Sequence, residues 1–188
     1  MATRHVLDSL AAVPELRRLR IHAFVDLGSG GGFPGLPVAA ALPAERALLV
    51  ESIGKKARFL ETAAAAIGLA DRVDVAAGRA EDLAADPDHR ERWPAVLARA
   101  VGPLADLVEL AFPLLSTGGS LVAWKGGLSE EELEAGRRAV GGLGGGRVAI
   151  VPAVTPGQPG HRLVVVTKRG RTGDAFPRTP TARRRGPW

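Results

Sequence analysis

Short apolar runs alternate with amphipathic stretches along nearly the whole chain, and that alternation sets the expected fold. Residues 24–27, 47–52, 73–77, 95–100 and 120–125 are dominated by Val, Leu and Ala, and are the length of buried strands. Between them, 34–42, 54–67 and 103–115 carry apolar side chains at helical spacing. In 54–67 the pattern turns Phe59, Leu60 and Ile67 inward and Lys55, Lys56, Arg58 and Glu61 outward. A helix over 129–140 opens on Ser129 with Glu132 three residues later, which predicts a capping box. Upstream, Val6, Leu7, Leu10, Val13, Leu16 and Leu19 recur close to helical spacing, and Pro14 splits them into two short helices or a helix and a turn. The polar stretch 82–94 reads as a helix fragment and loop, Gly118-Gly119 as a turn, and 141–146 as a loop. Residues 148–154 and 162–168 are two closing strands joined through Pro and Gly, an antiparallel hairpin.

Strands alternating with helices and ending in a β-pair predict an α/β fold, a mostly parallel sheet with both faces covered and one antiparallel strand. At 188 residues and 46% apolar content, the chain is long enough for one domain with a full core. The expected division is a helical segment at 1–23, the α/β domain at 24–169 and a basic tail at 170–188. No run approaches the roughly 18 apolar residues of a membrane span, and the N-terminus lacks a signal-peptide layout. A soluble, cytoplasmic protein with no membrane partner is the expectation. The absence of cysteine excludes disulfides, zinc–thiolate sites and thiol catalysis. His5, His22, His89 and His161 show no metal-ligand spacing, so no metal is expected.

Charge is unevenly spread. From His161 to Trp188 eight basic residues face one acid, a net +7, whereas the first 160 residues hold 17 basic and 19 acidic ones, a net −2. An acidic body with a basic end fits a polyanion held along one edge, or a solvated arginine tail.

The chemistry concentrates in FVDLGSGGGFPGL, residues 24–36. A strand that runs into glycines and then a helix N-terminus forms a nucleotide-binding corner. Two registers compete. Gly30, Gly32 and Gly35 fit the dinucleotide fingerprint GxGxxG, a weak signal alone. Asp26, Gly28, Gly30 and Gly32 fit the acid-x-Gly-x-Gly-x-Gly pattern of S-adenosylmethionine-dependent methyltransferases. Both expect an acid closing the second strand, and Glu51 supplies one able to accept both ribose hydroxyls. A dinucleotide oxidoreductase needs a substrate domain for which little chain is left. The terminal β-pair also favours the methyltransferase register.

A more specific resemblance runs through the chain. RHVLDSLA (4–11), VDLGSGGGFPGLPVA (25–39), LLVESIGKKARFL (48–60), GRAEDL (78–83), ARAVGPL (98–104), AWKG (123–126) and FPR (176–178) occur in order from near the start to near the end. In these the chain resembles the bacterial 16S rRNA guanine-N7 methyltransferase family, once called glucose-inhibited division protein B. The resemblance implies a Rossmann-like seven-stranded S-adenosylmethionine-dependent methyltransferase fold. It also implies S-adenosyl-L-methionine as cofactor, with 16S rRNA in the small ribosomal subunit as partner. Carried over by position, the cofactor residues are Gly28, Phe33, Ala80, Glu81 and Arg99, joined by Glu51 at the ribose. Glu81 would accept the adenine amino group beside the Ala80 backbone, Phe33 would wall the pocket, and Arg99 would meet the cofactor carboxylate or a phosphate. Members of that family carry a longer helical segment before RHVLDSL, where three residues precede it here, and Arg4, His5 and Asp8 match the motif without a role that the residues themselves reveal.

Guanine N7 has a free lone pair, so its methylation needs positioning rather than a base. The missing cysteine argues against cytosine-C5 chemistry, which needs a thiolate adduct. Ala98-Arg99-Ala100-Val101 stands where an exocyclic-amine methylase would carry its Asn/Asp-Pro-Pro-aromatic motif. Ribose methylation wants a lysine base, and Lys125 keeps that alternative open. Lys125 and Arg178 are the candidates for holding RNA. A rival of another class is an RNA- or ribosome-binding protein that keeps the cofactor fold without turnover.

Overall fold

In the computed structural model, seven strands form one sheet: β1 (Ala23–Leu27), β2 (Arg46–Glu51), β3 (Val73–Ala77), β4 (Trp93–Arg99), β5 (Leu115–Lys125), β6 (Gly146–Pro152) and β7 (Arg162–Lys168). Their order is β3-β2-β1-β4-β5-β7-β6, parallel except for β7, which runs antiparallel to both its neighbours. The helices are α1 (Ala2–Leu10), α2 (Val13–Arg18), α3 (Gly35–Ala41), α4 (Gly54–Ala66), α5 (Ala80–Ala85), α6 (Leu104–Ala111), α7 (Glu130–Gly142) and α8 (Pro180–Arg185). Residues 2–153 and 161–188 are described; Val154, the predicted end of the sixth strand, and the Pro/Gly loop after it lie outside them.

Side chains sort by the two-residue period of a strand. Val25, Leu27, Val96 and Ala98 enter one buried cluster with α5, α6 and α7, while Phe24, Leu49, Ala95 and Leu97 enter another with α2, α3 and α4. Both faces of the sheet are therefore covered, which is why its central strands read as continuous apolar runs.

Four local expectations change. On α4 the buried face is Ala57, Leu60 and Ala64, while Phe59 and Ile67 are 54% and 53% exposed. The small alanines share Leu60's face at helical spacing and pack against the sheet, and Phe59 falls on the outer face beside Arg58. The helix predicted over 103–115 ends at Ala111, just before Pro113, and Leu115 already pairs with Trp93. Gly118 and Gly119 lie inside β5 at a register shift opposite Trp93 and Ala95. A Cβ on Gly119 would come within 3.1 Å of three carbonyl oxygens, so the glycine lets the bulge close. Finally, Ser129 Oγ accepts from Glu132 N at 3.1 Å, but the Glu132 carboxylate does not return to Ser129; it accepts from Leu104 N at 2.8 Å instead.

The corner between β1 and α3 depends on Asp26. Its side chain is fully buried, Oδ2 accepts from Gly35 N at 3.0 Å, and Oδ1 is buried with no partner among the described residues. Burial pushes the carboxyl up to about 7, against the pull of hydrogen bonds from Ser29 and Gly35 and of the Arg99 charge. A Cβ on Gly35 would stand 2.6 Å from Asp26 Oδ2, so this helix start admits only glycine without displacement.

Gly35→Ala should therefore lose about 1–3 kcal/mol in denaturant unfolding, and stability equal to the parent would contradict the packing. Asp26 binds its proton more tightly folded than unfolded. Its contribution to stability is thus greatest at acid pH and declines as pH rises from about 4 through about 7. Measured from pH 4 to 8, the stability of the parent relative to Asp26→Asn should fall by a few kcal/mol; a pH-independent difference would refute the raised pKa.

Candidate functional site

The carboxyl ends of β1, β2, β3 and β4 open together, the edge on which α/β sheets bind ligands. Three glycines of the loop after β1 take the left-handed region, Gly28 at φ 69°, Gly30 at 56° and Gly32 at 89°. A Cβ on Gly28 would meet Val101 Cγ2 at 3.1 Å, which adds crowding to the backbone restriction. Glu51, only 6% exposed at the end of β2, holds this loop. Its Oε2 accepts from Gly30 N at 3.0 Å and its Oε1 from Ile53 N at 2.9 Å. Each oxygen retains a further lone pair.

Of the six residues expected at the cofactor, Gly28, Glu51, Ala80 and Glu81 line one pocket of about 210 Å³. Arg99 lines a second one of about 400 Å³, with Lys125, Asp8 and Trp124. Phe33 stands beside that second pocket, 5.4 Å beneath the Arg99 guanidinium and 5.6 Å from the His5 ring. Val101 faces the first pocket while Ala100 and Gly102 face the second, so the turn after β4 is their common wall. Ala100 adopts φ 58°, an uncommon conformation for a side chain with a Cβ.

Asp8, which sequence reasoning left without a role, joins three elements here. Its carboxylate is 8% exposed and accepts from Arg99 Nη1 at 2.9 Å, and it lies 3.1 Å from His161 Nδ1. Its backbone oxygen accepts from Trp124 Nε1 at 2.9 Å. Helix α1 is thereby fastened across the ends of β4, β5 and β7. Arg99 Nη1 also donates to His5 O at 3.3 Å, whereas Nε and Nη2 make no hydrogen bond among the described residues.

Lys125 and Arg178, expected as RNA contacts, are both engaged inside the protein. Lys125 Nζ donates to Gly102 O and to Glu132 Oε1, each at 2.6 Å, with 11% of its side chain exposed. Arg178 grips the fully buried Glu109 of α6 through Nε, at 2.9 Å and 3.1 Å to its two oxygens, and through Nη2, at 2.6 Å. Trp188 Nε1 donates to the same carboxylate at 2.7 Å. Burial pushes Glu109 up, but the Arg178 guanidinium and N–H and the Trp188 indole outweigh it and leave the carboxyl below its usual range.

The basic end is thus only partly a free cationic surface. Lys168 is fully buried, donating to Glu91 Oε1 at 2.6 Å and to the Phe112 and Leu115 oxygens at 2.7 Å and 2.8 Å, and burial holds its ammonium below its usual pKa. Arg171 reaches the other Glu91 oxygen at 3.2 Å, and Arg183 pairs with Glu81. With Arg178 on Glu109, four of the eight cations have a carboxylate partner; Arg162, Arg169, Arg184 and Arg185 are exposed and form no ion pair among the described residues. Two signals pointed this way in the sequence: Glu109 is a lone acid in the apolar turn LVELA, and Thr179-Pro180 is a helix start. Thr179 Oγ accepts from Ala182 N at 3.2 Å and caps α8.

Among the described residues no group of three or more His, Asp or Glu could hold a metal ion, and no helix is long and apolar enough to cross a membrane.

Solved structures share the fold. A methyltransferase from Geobacter sulfurreducens superposes with a TM-score of 0.64 at 19% identity, covering 85% of this chain and 77% of that one. The O-methyltransferase TomG from Streptomyces achromogenes, solved in complex with S-adenosylmethionine, also gives 0.64, at 17% identity over 86% and 79% of the two chains. In sequence, the family model for rRNA small subunit methyltransferase G matches residues 1–158. The ribosomal RNA small subunit methyltransferase G of Roseiflexus castenholzii is 42% identical over 95% of this chain and 75% of its own. That of Deinococcus deserti is 46% identical over 93% and 72%. The chain belongs to the rRNA small subunit methyltransferase G family.

Proposed function

We propose that this protein transfers the methyl group of S-adenosyl-L-methionine to N7 of a guanine in the 16S rRNA of the small ribosomal subunit. The observation that carries this reading is the pocket formed by Gly28, Glu51, Ala80 and Glu81 at the carboxyl edge of the sheet, in a chain of a ribosomal RNA methyltransferase family. The donor set fits an adenosyl group. Glu51 spends one lone pair of each oxygen on the loop, which leaves two acceptor positions for two vicinal ribose hydroxyls. Glu81 Oε2 has no hydrogen-bond partner among the described residues and is open to the adenine amino group. Gly28 keeps the wall beside Val101 free of a side chain.

Across the shared wall, the Nε–Nη2 edge of the Arg99 guanidinium suits the methionine carboxylate, and Phe33 closes the side beneath it. When bound, S-adenosyl-L-methionine supplies an electrophilic sulfonium methyl. The protein's part is then to hold the guanine with N7 in line with that methyl, with no proton to remove. The second pocket, walled by His5, Trp124 and Gly126, is the assigned place for the base.

Lys125 bears on the alternative chemistry. A base for ribose methylation must turn its nitrogen to the substrate hydroxyl, whereas Lys125 Nζ is turned to Gly102 O and Glu132 Oε1, each at 2.6 Å. This supports N7 over the ribose hydroxyl and gives Lys125 the task of fixing Gly102 in the wall. The exposed Arg169, Arg184 and Arg185 take over the expected phosphate contacts.

Incubated with labelled S-adenosyl-L-methionine and small subunits that lack the modification, the protein should label one guanine at N7, as mapped by base analysis. Label on a ribose or an exocyclic amine, or ribosome binding with no label, would overturn the assignment. Glu51→Ala and Gly28→Val should each weaken cofactor binding by tenfold or more in calorimetry, in line with roughly 1–3 kcal/mol for a lost buried partner. Parent-like affinity in either variant would remove the pocket from the proposal.

A further inference from the structure

We propose that Arg183, returned from the C-terminal segment, positions Glu81 and so sets the preference of the pocket for adenine over other purines. This rests on the reading of that pocket as the S-adenosyl-L-methionine site. Arg183 lies more than a hundred residues after Glu81 in the chain, yet its side chain, 11% exposed, lines the same pocket as Gly28 and Glu51. Its Nη2 donates to Glu81 Oε1 at 2.5 Å. Its Nη1 donates to Arg178 O at 2.8 Å, and Arg178 is itself clamped by Glu109. The guanidinium is therefore fixed at two points and acts as a strut between the tail and the first turn of α5.

The consequence for recognition is chemical. A carboxylate can only accept hydrogen bonds. Arg183 engages Oε1 and holds the side chain where it would otherwise rotate among solvated conformers, so that the unbonded Oε2 is the foremost acceptor Glu81 presents. An exocyclic amine donates to that acceptor, whereas a 6-oxo purine brings another acceptor and leaves both groups unpaired. Sites built on such a hydrogen bond discriminate far more strongly than apolar pockets do. The paired guanidinium also keeps Glu81 from standing as a lone negative charge in a partly closed pocket.

The test is calorimetric titration of the full chain with S-adenosylhomocysteine and with S-inosylhomocysteine, which carries an oxygen in place of the 6-amino group. The parent should prefer the adenosyl ligand by about a hundredfold, the upper worth of one hydrogen bond to a charged group at a partly open site. Arg183→Ala should lose about tenfold of that affinity, with the inosyl ligand almost unaffected, so the preference falls in step. Arg183→Lys should restore much of it. In a Glu81→Ala background, removing Arg183 should change nothing further, because the residue acts through Glu81. Arg183→Gln, which keeps most of the bulk, serves if the alanine variant unfolds, and should show the same loss of preference. Parent-like preference in the Arg183 variants, tighter adenosyl binding without the arginine, or a second loss in the Glu81→Ala background would each overturn the proposal. A parent that binds neither ligand would instead bring down the reading of the pocket, and this inference with it.

Discussion

The glycine loop after β1 keeps its shape because carboxylates from two strands accept its backbone N–H groups. Glu51 takes Gly30 N and Ile53 N, and Asp26 takes Gly35 N at the start of α3. A run of glycines has the largest conformational entropy of any sequence, so it is ordered only where something holds it. The holding groups come from the ends of the two adjacent strands and are nearly excluded from water. The loop can therefore present open lone pairs and a bare backbone wall without a ligand to organise it.

The same economy of charge governs the rest of the molecule. Asp8 with Arg99, Glu132 with Lys125, Glu91 with Lys168, Glu109 with Arg178 and Glu81 with Arg183 are five pairs that each tie segments distant in sequence or successive elements of the sheet edge. Pairs of this kind add little net stability over apolar replacements, but where the partner left behind is buried, as Asp8, Lys168 and Glu109 are, breaking one costs about 3–5 kcal/mol. Their effect is on placement. Each fixes one element against another at a defined point, and three of the five fasten the C-terminal part of the chain to the body. An acidic body and a basic end are in large part complementary to each other, which leaves a smaller cationic surface for an external polyanion than the composition implied.

Placement matters most around the turn at residues 100–102. It separates the pocket proposed for the adenosyl group from the one proposed for the base, and it is held from both sides. Lys125 fixes the Gly102 carbonyl, and Arg99 just before the turn is drawn to Asp8 on α1. The early motif RHVLDSL thus bears on the site through a carboxylate that locks a helix over the strand ends. A methyl transfer that needs no base depends entirely on such positioning.

Much of this could be read from residues in order along the chain. Strand period, glycine placement and the acids closing β1 and β2 are local patterns with one physical solution each, a buried strand, a tight turn and a loop anchor. They determined the α/β sheet, its antiparallel close and the position of the pocket. The partners of Lys125, Lys168 and Arg183 were not legible, and that of Arg178 was marked only by the lone acid Glu109, because a long cationic side chain looks the same in sequence whether it faces water or a carboxylate from as far as 102 residues away. The inward face of α4 departs from its hydrophobic pattern for a related reason: Ala57 and Ala64 carry little hydrophobic signal, yet their small size is what lets the helix approach the sheet and leaves Phe59 outside. Local pattern decided which elements form; only the packing of the whole chain decided which charges meet, since that depends on distances in space.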